Sequence, residues 1–371
     1  MTSAVHQRLK IAIVAPSMAI LGGQAVQAAR LLDSWRGDPD IEAWLVPINP
    51  TPPAVLRRAA GVKFVRTAIT QLSYWPSLLA QLRHADIVHV FSASYWSFLL
   101  APLPAVVVAR LFGKPVVMNY RSGEAPDHLK RSAIARAVLR HVDRNVVPSA
   151  FLRDVFDGFD IDAEVIPNIV DTLRYAFRER TPLSPRVLST RNFETLYNLP
   201  CTLRAFRRFQ DWYPDATLTL VGSGTQEPAV RALVDSLELT GVTFAGRVAP
   251  DQMWRFYADA DIYLQTPDID NMPSSVLEAF ASGCAVVSTD AGGVPAILSD
   301  DRHGLLVSCD DDRAAAVAMR RLMQDAPLAA RLTNAARESC ARYQWTSVRA
   351  RWLAVYRELA GAAAVAAPRV A

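Results

Sequence analysis

The sequence has few cysteines and no apolar run long enough to cross a bilayer, and each scarcity excludes a class of protein. Its four cysteines show no C-x-x-C spacing, so neither a disulfide framework nor a zinc site is expected. The longest apolar run, Tyr95–Ala109, is too short to span a membrane and contains two prolines. The polar start, Met1–Lys10, is unlike a signal peptide. We therefore expect a cytoplasmic chain, at most attached to the inner face of the cytoplasmic membrane.

Lysine is also scarce, since only four of the 40 basic residues are lysine, but the charges of the chain are balanced. The net charge is +4, which argues against a protein that binds nucleic acid through bulk positive charge. Apolar residues make up 51% of the chain, enough for a sizeable core. The 371 residues predict two domains, at about 150 residues per domain.

Short apolar strands alternate with helical segments along the chain, which predicts parallel sheets covered by helices on both faces. The first strand, Leu9–Ala15, precedes a Gly22-Gly23 turn and a helix over Gln24–Trp35. The other strands expected in the first half are Trp44–Pro47, Lys63–Arg66, Asp86–Phe91, Pro115–Asn119, Arg144–Pro148 and Ala163–Ile166. Those expected in the second half are Arg186–Thr190, Thr217–Val221, Val242–Ala245, Asp261–Gln265, Ala285–Thr289 and Gly304–Val307.

The segment Pro167–Pro185 lacks an apolar run and separates the two series of strands, so we interpret it as a linker. The pattern predicts an α/β protein of two Rossmann-like, doubly wound domains that face each other across a cleft. Ligands of such sheets bind beyond the carboxyl ends of the strands. One large sheet with insertions is the alternative.

Familiar phosphate-binding motifs are absent from the loops. Gly222-Ser223-Gly224 ends a strand, but the third glycine of a dinucleotide fingerprint is replaced by Glu227, and the sequence has no Walker motif. A hydride-transfer enzyme or a P-loop ATPase is therefore poorly supported.

The most informative segment is TPDIDNMPSSVLEAFASG, residues 266–283, which follows a predicted strand. A helix beginning near Pro273 would direct free N–H groups and the positive end of its dipole toward a phosphate. Asp270 and Glu278 would flank that phosphate and accept hydrogen bonds from sugar hydroxyls. Alternatively, Ser275 and Glu278 form a capping box, and Glu278 only bonds the backbone.

The segment resembles the Glu, seven residues, Glu signature of bacterial family-4 glycosyltransferases, which have the GT-B fold. Further segments resemble the family in the same order along nearly the whole chain: Gly22-Gly23, Val165–Asp171, Thr217–Gly224, Phe244–Val248 and Thr289–Pro295. The resemblance implies an acceptor domain over residues 1–172, onto which residues 355–371 pack back, and a nucleotide-sugar donor domain over residues 173–354. It also implies a retaining hexosyltransferase without an obligatory metal or other cofactor.

The resemblance assigns roles in the second half by position. Glu278 would hold the ribose, Asp270 would lie near the transferred sugar, and Arg191 would neutralise the leaving diphosphate. The segment that would contact the sugar and diphosphate consists of Asn271, Met272, Pro273, Ser274 and Ser275. The base would lie against Arg247. The glycines Gly222 and Gly293 would line the phosphates.

The second half departs from the family at three positions. Asp270 is one methylene shorter than the usual glutamate. The lysine that the family usually has a few residues after the arginine is missing, and Tyr197 is the residue nearest to its position. Ala296 stands where the family has an acidic residue. The missing lysine and Ala296, with Arg121 in the first half, leave a non-catalytic nucleotide-sugar-binding protein open. A nucleotide-sugar epimerase of similar two-domain plan is a second enzyme alternative.

In the first half, Gly22 and Gly23 match the family's glycine loop. Arg121 stands where relatives commonly carry histidine, and His128 is an alternative acceptor-side residue whose ordinary interpretation is a surface histidine at a helix start. His89 lies in a strand and is interpreted as structural.

Two further patterns suggest ligands. Asp268-Ile269-Asp270 is a D-x-D, so metal binding is kept as an alternative. Residues 127–144 are predicted to form one amphipathic basic helix with a solvated face over a packed core, and contact of its basic face with anionic lipid headgroups is the alternative. Its basic residues are Lys130, Arg136, Arg140, His141 and Arg144, and its apolar residues are Ile134, Val138, Leu139 and Val142. The expected partners are a nucleotide-diphosphate sugar and a glycan or lipid-linked acceptor of bacterial surface polysaccharide synthesis.

Overall fold

The structure is a computed structural model that describes residues 8–20, 22–51 and 63–366. The chain divides into two compact units, one comprising the chain up to Ile169 together with the part from Val348 onward, and one comprising Val170–Ser347. Each unit contains a six-stranded sheet in which every pairing is parallel, with its own buried core. The predicted α/β class, with two Rossmann-like units, is confirmed.

The sheet of the first unit has the order β2-β1-β3-β4-β5-β6. Its strands are β1 (Leu9–Ala15), β2 (Ile41–Pro47), β3 (Ile87–Ser92), β4 (Val116–Tyr120), β5 (Arg144–Val147) and β6 (Glu164–Val165). Its helices are α1 (Gly23–Trp35), α2 (Lys63–Leu82), α3 (Tyr95–Leu100), α4 (Pro102–Leu111), α5 (Ala125–Arg131), α6 (Ala133–His141) and α7 (Ala150–Asp157). The central strands β3 and β4 are buried along their whole length, which explains their continuous apolar sequence.

The predicted strand Lys63–Arg66 is wrong, because these residues form the first turn of α2. Further along this helix, Tyr74, Leu78 and Leu82 are fully buried at a spacing of four residues. That spacing aligns one face of a helix with the core and outweighs the short strand-like run before it.

The single helix predicted over residues 127–144 is also wrong, because Ser132 divides it into α5 and α6. The Ser132 hydroxyl accepts a hydrogen bond from the Ala135 amide at 3.1 Å and caps α6. Arg136 bonds the Lys130 carbonyl at 3.2 Å, and Ile134, expected on the core side, is 54% exposed. The continuous basic face is therefore not formed.

The sheet of the second unit has the order β12-β11-β10-β7-β8-β9. Its strands are β7 (Arg186–Ser189), β8 (Thr217–Val221), β9 (Val242–Gly246), β10 (Ile262–Gln265), β11 (Ala285–Thr289) and β12 (Leu305–Val307). Its helices are α8 (Leu199–Gln210), α9 (Glu227–Ser236), α10 (Trp254–Asp259), α11 (Ser274–Ser282), α12 (Asp312–Gln324) and α13 (Ala326–Ser339). Short 3₁₀ segments lie at Thr195–Tyr197, Val294–Ala296 and Cys340–Tyr343.

The last helix, α14 (Trp345–Ala366), packs against the first unit's sheet. Arg349 bonds the carboxylates of Asp38 and Asp40, each at 2.7 Å, and the Tyr356 hydroxyl lies 2.7 Å from His89 Nδ1. Within the three described ranges, no helix is long and apolar enough to cross a membrane.

Candidate active site

Arg191 follows β7 at the carboxyl edge of the second sheet, where the neighbouring strand β10 also ends. Its Nη2 donates to Asp270 Oδ2 at 2.5 Å, and its Nη1 donates to Ser275 Oγ at 3.1 Å. The Tyr197 ring centroid lies 4.0 Å from the guanidinium carbon. Three residues singled out from the sequence are thus brought around one cation, at the sheet edge where ligands of such folds bind.

The Arg191 guanidinium is buried and remains protonated. Burial alone would lower the pKa of Arg191, but the adjacent Asp270 carboxylate raises it above its ordinary value. Within the described residues, the buried Nε of Arg191 has no hydrogen-bond partner. This N–H is therefore buried without a partner, which carries a desolvation cost.

A buried polar network that the sequence did not reveal supports this cation. The Ser275 hydroxyl donates to Gln265 Oε1 at 3.4 Å, and the Tyr263 hydroxyl reaches the same oxygen at 3.3 Å. Thr190 Oγ1 lies 3.2 Å from the Tyr263 hydroxyl and 2.9 Å from that of Tyr257. The sequence contains one feature that could have indicated this network: two predicted strands that are otherwise largely apolar end in a polar residue, Thr190 in one and Gln265 in the other.

Glu278 lies in the second turn of α11 and is 8% exposed. Burial, and next the charge of Glu278, raise the pKa of Tyr257 well above its ordinary value. Ser275 is not the N-cap of a capping box, because Pro273 is the N-cap residue and α11 begins at Ser274. Ser275 instead bonds Arg191 and Gln265.

The segment from Asn271 to Ser275 leads from the Asp270 carboxylate into α11. The Asn271 amide donates to Asp270 Oδ1 at 2.8 Å, whereas Met272 and Pro273 are buried and Ser274 is partly exposed at the first helical position. The structure therefore brings both ends of this predicted segment, Asn271 and Ser275, into contact with the Arg191–Asp270 pair.

Gly293 and Gly222 fix the two loops of the site by close backbone approach. A Cβ on Gly293 would lie 2.0 Å from the Asn271 carbonyl oxygen, and the Gly293 amide donates to the Asp270 carbonyl at 3.1 Å. Gly222 has a φ of +151°, and its Cβ would lie 2.3 Å from the Arg191 carbonyl oxygen. Only glycine fits at either position without moving Arg191 or Asn271.

Arg247 is not part of this cluster of contacts. It follows the edge strand β9, which is separated from β7 by β8, and its side chain is exposed. The base-binding role implied by the resemblance stays a prediction.

In the first unit, Gly22 and Gly23 begin α1. Gly22 has extended backbone, with a φ of −174°, and a Cβ on either glycine would have no described atom within 4 Å. Arg121 follows β4 and bonds the side-chain oxygens of Asn119, at 3.3 Å, and Asn168. These residues lie at the carboxyl edge of the first sheet.

Two histidines of the first unit that the sequence singles out, His128 and His89, are both buried. His128 is 1% exposed, its Nδ1 lies 2.8 Å from the Tyr120 hydroxyl, and burial lowers its pKa. Its interpretation as a surface histidine is therefore wrong, since α5 turns it toward the core. His89 is fully buried between the Tyr356 hydroxyl and the Asn119 amide, and its structural interpretation is confirmed.

The two carboxylates of the D-x-D have separate partners. Asp268 Oδ1 accepts from Asn198 Nδ2 at 2.9 Å, whereas Asp270 pairs with Arg191. Among the residues that the structure describes, no group of three His, Cys, Asp or Glu side chains is arranged to hold a metal ion.

Two family models match the chain, and together they extend over both units. Residues 22–174 match the model described as Glycosyltransferase Family 4, and residues 177–339 match the model described as Glycosyl transferases group 1. Two Rossmann-like units with these sequences define a glycosyltransferase of the GT-B fold. The chain belongs to the family-4 glycosyltransferases.

Individual relatives are distant. The chain is 27% identical over 335 residues to a GDP-mannose-dependent alpha-(1-6)-phosphatidylinositol monomannoside mannosyltransferase of Mycobacterium tuberculosis, a match that covers 82% of this chain and 83% of that one. It is 23% identical over 304 residues to a sulfoquinovosyl transferase of Arabidopsis thaliana, covering 74% of this chain but only 57% of the plant protein.

A solved structure shows the same fold. The crystal structure of the Anabaena protein HepE in complex with UDP-glucose matches with a TM-score of 0.75 and 15% identity, over 95% of this chain and 100% of that chain.

Proposed function

We propose that this glycosyltransferase moves a sugar, with retention of configuration, from a nucleotide-diphosphate sugar to a glycan or lipid-linked acceptor in bacterial surface polysaccharide synthesis. The observation that carries the proposal is the Arg191 guanidinium beside the N-terminus of α11, where Nη1 bonds Ser275 in the first helical turn. A cation and a helix N-terminus at one place favour a diphosphate.

The same geometry supports a transfer reaction. In the transfer, the bond between sugar C1 and the phosphate oxygen breaks, and a bond from the acceptor oxygen to C1 forms. The departing phosphate oxygen takes the acceptor's proton, so no histidine base is needed. Negative charge grows on the diphosphate as the bond breaks, and Arg191 with the α11 amides would stabilise it, each donor by about 3–4 kcal/mol by analogy with oxyanion holes.

The relatives leave the donor base open. The mycobacterial relative is named as GDP-mannose-dependent, and HepE was crystallised with UDP-glucose. The first experiment is therefore a thermal-shift screen of UDP-, GDP- and ADP-sugars, since a ligand at 100 times its dissociation constant stabilises by about 2.7 kcal/mol.

The decisive measurement is release of free nucleoside diphosphate with and without an acceptor. We expect acceptor-dependent release, a loss of at least ~100-fold in Arg191→Ala, and normal activity in the exposed control Arg207→Ala. An epimerase would release no diphosphate when given an acceptor, and a binding protein would bind without turnover. Near-normal activity of Arg191→Ala would reject the role of this arginine.

We propose that the reaction requires no metal and no other cofactor. The separate partners of Asp268 and Asp270 support this proposal, because the Arg191 cation occupies the position beside Asp270 that a shared metal ion would need. Activity in excess chelator should equal activity without it, and a loss that added Mg²⁺ or Mn²⁺ restores would contradict the proposal.

We also propose that the first unit contacts an anionic membrane, although not through one continuous basic helix. Arg110 bonds Asp143 at 3.1 Å, so the end of α4 with Leu111, which is 71% exposed, lies next to the end of α6 with the exposed Arg140. Exposed apolar and basic groups together suit an anionic lipid surface. Flotation with phosphatidylglycerol vesicles should recover the protein, and Leu111→Asp should recover less. Absence of flotation of the wild type would reject the contact.

A further inference from the structure

Arg121 lies at the edge of the first sheet where a ligand is expected. It follows β4, whose neighbour β3 ends at Ser92, and the Gln24 side chain of α1 bonds the Ser92 carbonyl at 3.1 Å. The start of α1 at Gly22 and Gly23 therefore lies at the same edge. Ligands of parallel sheets bind beyond this carboxyl edge.

The Arg121 guanidinium has only uncharged neighbours. Its two Nη atoms donate to the amide oxygens of Asn119 and Asn168, and its carbon lies 5.2 Å from the Phe91 ring centroid. Among the residues that the structure describes, no aspartate or glutamate forms an ion pair with Arg121. Burial lowers its pKa to about 10, so the group remains charged at neutral pH.

The buried arginines elsewhere in the chain are paired differently. Arg180 lies 3.3 Å from a carboxylate oxygen of Asp261, and Arg191 pairs with Asp270. A partly desolvated cation without a counter-ion is unfavourable, and an anionic ligand would compensate it. Among the described residues, Arg121 thus differs from Arg180 and Arg191 in forming no ion pair with a carboxylate.

The neighbours of Arg121 are themselves held in place. Asn119 Nδ2 lies 3.0 Å from His89 Nε2, and the opposite nitrogen of that ring lies 2.7 Å from the Tyr356 hydroxyl. Beside Asn168, the Gln27 side chain bonds both the amide and the carbonyl of Ile169, at 3.1 and 3.2 Å. The guanidinium uses two of its five N–H donors in these contacts, which leaves donors for a ligand in a fixed orientation.

We propose that Arg121 binds an oxyanion of the substrate, a carboxylate or phosphate carried either by the transferred sugar or by the acceptor. This proposal deepens the proposed glycosyl transfer and rests on it. A fixed, planar guanidinium recognises such groups through two parallel hydrogen bonds, which a lysine cannot reproduce. Arg121 would thus select charged substrates over neutral analogues of the same shape.

Two pairs of probes test the proposal by calorimetry. The donor pair is UDP-glucuronate against UDP-glucose, repeated with GDP-mannuronate against GDP-mannose. The acceptor pair is farnesyl-diphosphate-linked glucose against octyl glucoside, each with saturating nucleoside diphosphate. The variants are Arg121→Gln, Arg121→Lys and the exposed control Arg153→Gln.

We expect wild-type protein to bind the charged member of one pair at least tenfold more tightly, and that pair identifies the source of the oxyanion. Arg121→Gln should abolish the preference, Arg121→Lys should keep only part of it, and Arg153→Gln should match the wild type. Equal affinity within both pairs, or a preference that survives Arg121→Gln, would overturn the proposal. The wild-type comparison and Arg121→Lys decide the question even if Arg121→Gln does not fold.

The two proposals fail in different ways. If UDP and GDP bind in an Arg191-dependent manner but neither pair shows a charge preference, only the role of Arg121 is wrong. If no nucleotide binds and no diphosphate is released, the proposed transfer itself is wrong.

Discussion

Arg191 Nη2 lies 2.5 Å from Asp270 Oδ2, so an internal ion pair occupies the place where a diphosphate is expected. A bound diphosphate would have to share this guanidinium with Asp270 or displace the carboxylate. Both side chains are largely buried, at 9% and 12% exposure, so their competition is weakly screened by solvent. We therefore expect the carboxylate to compete with a bound diphosphate even though it holds Arg191 in position.

Asp270→Asn removes that competing charge while keeping the shape of the side chain. We expect the nucleoside diphosphate to bind several-fold more tightly, because Arg191 no longer has an internal counter-ion. Turnover should fall, because the family resemblance places Asp270 near the transferred sugar and because Arg191 loses its orienting partner. Calorimetry of the diphosphate and steady-state kinetics check the two effects separately, and weaker binding in the variant would contradict the competition.

Glu278→Gln tests the other acidic residue of the site. The side chain is buried in α11, and an amide of the same size removes its charge without opening a cavity. We expect turnover to fall by about 100-fold, since a neutral amide accepts a hydroxyl hydrogen less strongly than a carboxylate does. Steady-state kinetics give the effect, with the exposed Glu338→Gln of α13 as the control. Equal activity of the two variants would remove Glu278 from the site.

The sheets could be predicted closely from the sequence, because their central strands are continuous apolar runs. Leu9–Ala15, Thr217–Val221 and Ala285–Thr289 have the predicted bounds. The prediction failed where a short apolar run belonged to a longer helical pattern, at Lys63–Arg66, and where one hydroxyl capped a new helix, at Ser132. In both cases the local structure is decided by residues outside the few consecutive positions from which the prediction was made.

The candidate site could be predicted only in part. Arg191 and Asp270 follow strands and match the family, so their meeting at one sheet edge was expected. Thr190, Tyr263 and Gln265 gave no comparable signal, because their role depends on hydrogen bonds between strands that are far apart in the sequence. The positions of Gly222 and Gly293 had a family match, but their close contacts with other loops are visible only in three dimensions.

Gly293→Ala should damage the site more than the fold around it. Its Cβ would lie 2.0 Å from the Asn271 carbonyl oxygen, a backbone atom that can move only with the whole loop next to Asp270. We expect a loss of about 1–3 kcal/mol in the free energy of unfolding and at least a tenfold loss of turnover. Urea unfolding and activity assays measure the two effects.

The matched control for this change is Gly361→Ala in α14, whose Cβ would meet nothing within 4 Å. Because alanine favours a helix over glycine, this variant should be unchanged or up to about 1 kcal/mol more stable, with normal activity. If the two alanine variants behave alike, the tight packing of Gly293 against Asn271 does not constrain the site.

His89 should make the stability of the protein depend on pH in the weakly acidic range. Burial, and next the nearby positive charge of Arg121, lower the pKa of His89 from 6.5 to about 3. In the unfolded chain His89 is therefore protonated as the pH falls below about 6.5, whereas in the folded chain it stays neutral until about pH 3. The stabilisation from this group is fully present above pH 6.5 and is lost as the pH falls toward 3, by about 1.4 kcal/mol for each pH unit.

Urea unfolding between pH 7.5 and 4.5 measures this slope in the wild type and in His89→Gln. The variant starts from lower stability, because glutamine cannot reproduce both bonds to Tyr356 and Asn119. Its stability should nevertheless fall less steeply below pH 6.5, whereas replacement of the exposed His84 by glutamine should leave the wild-type slope unchanged. Contributions from the other histidines cancel in the comparison. Parallel curves for the wild type and His89→Gln would mean that His89 takes up its proton in the folded protein as readily as in the unfolded chain.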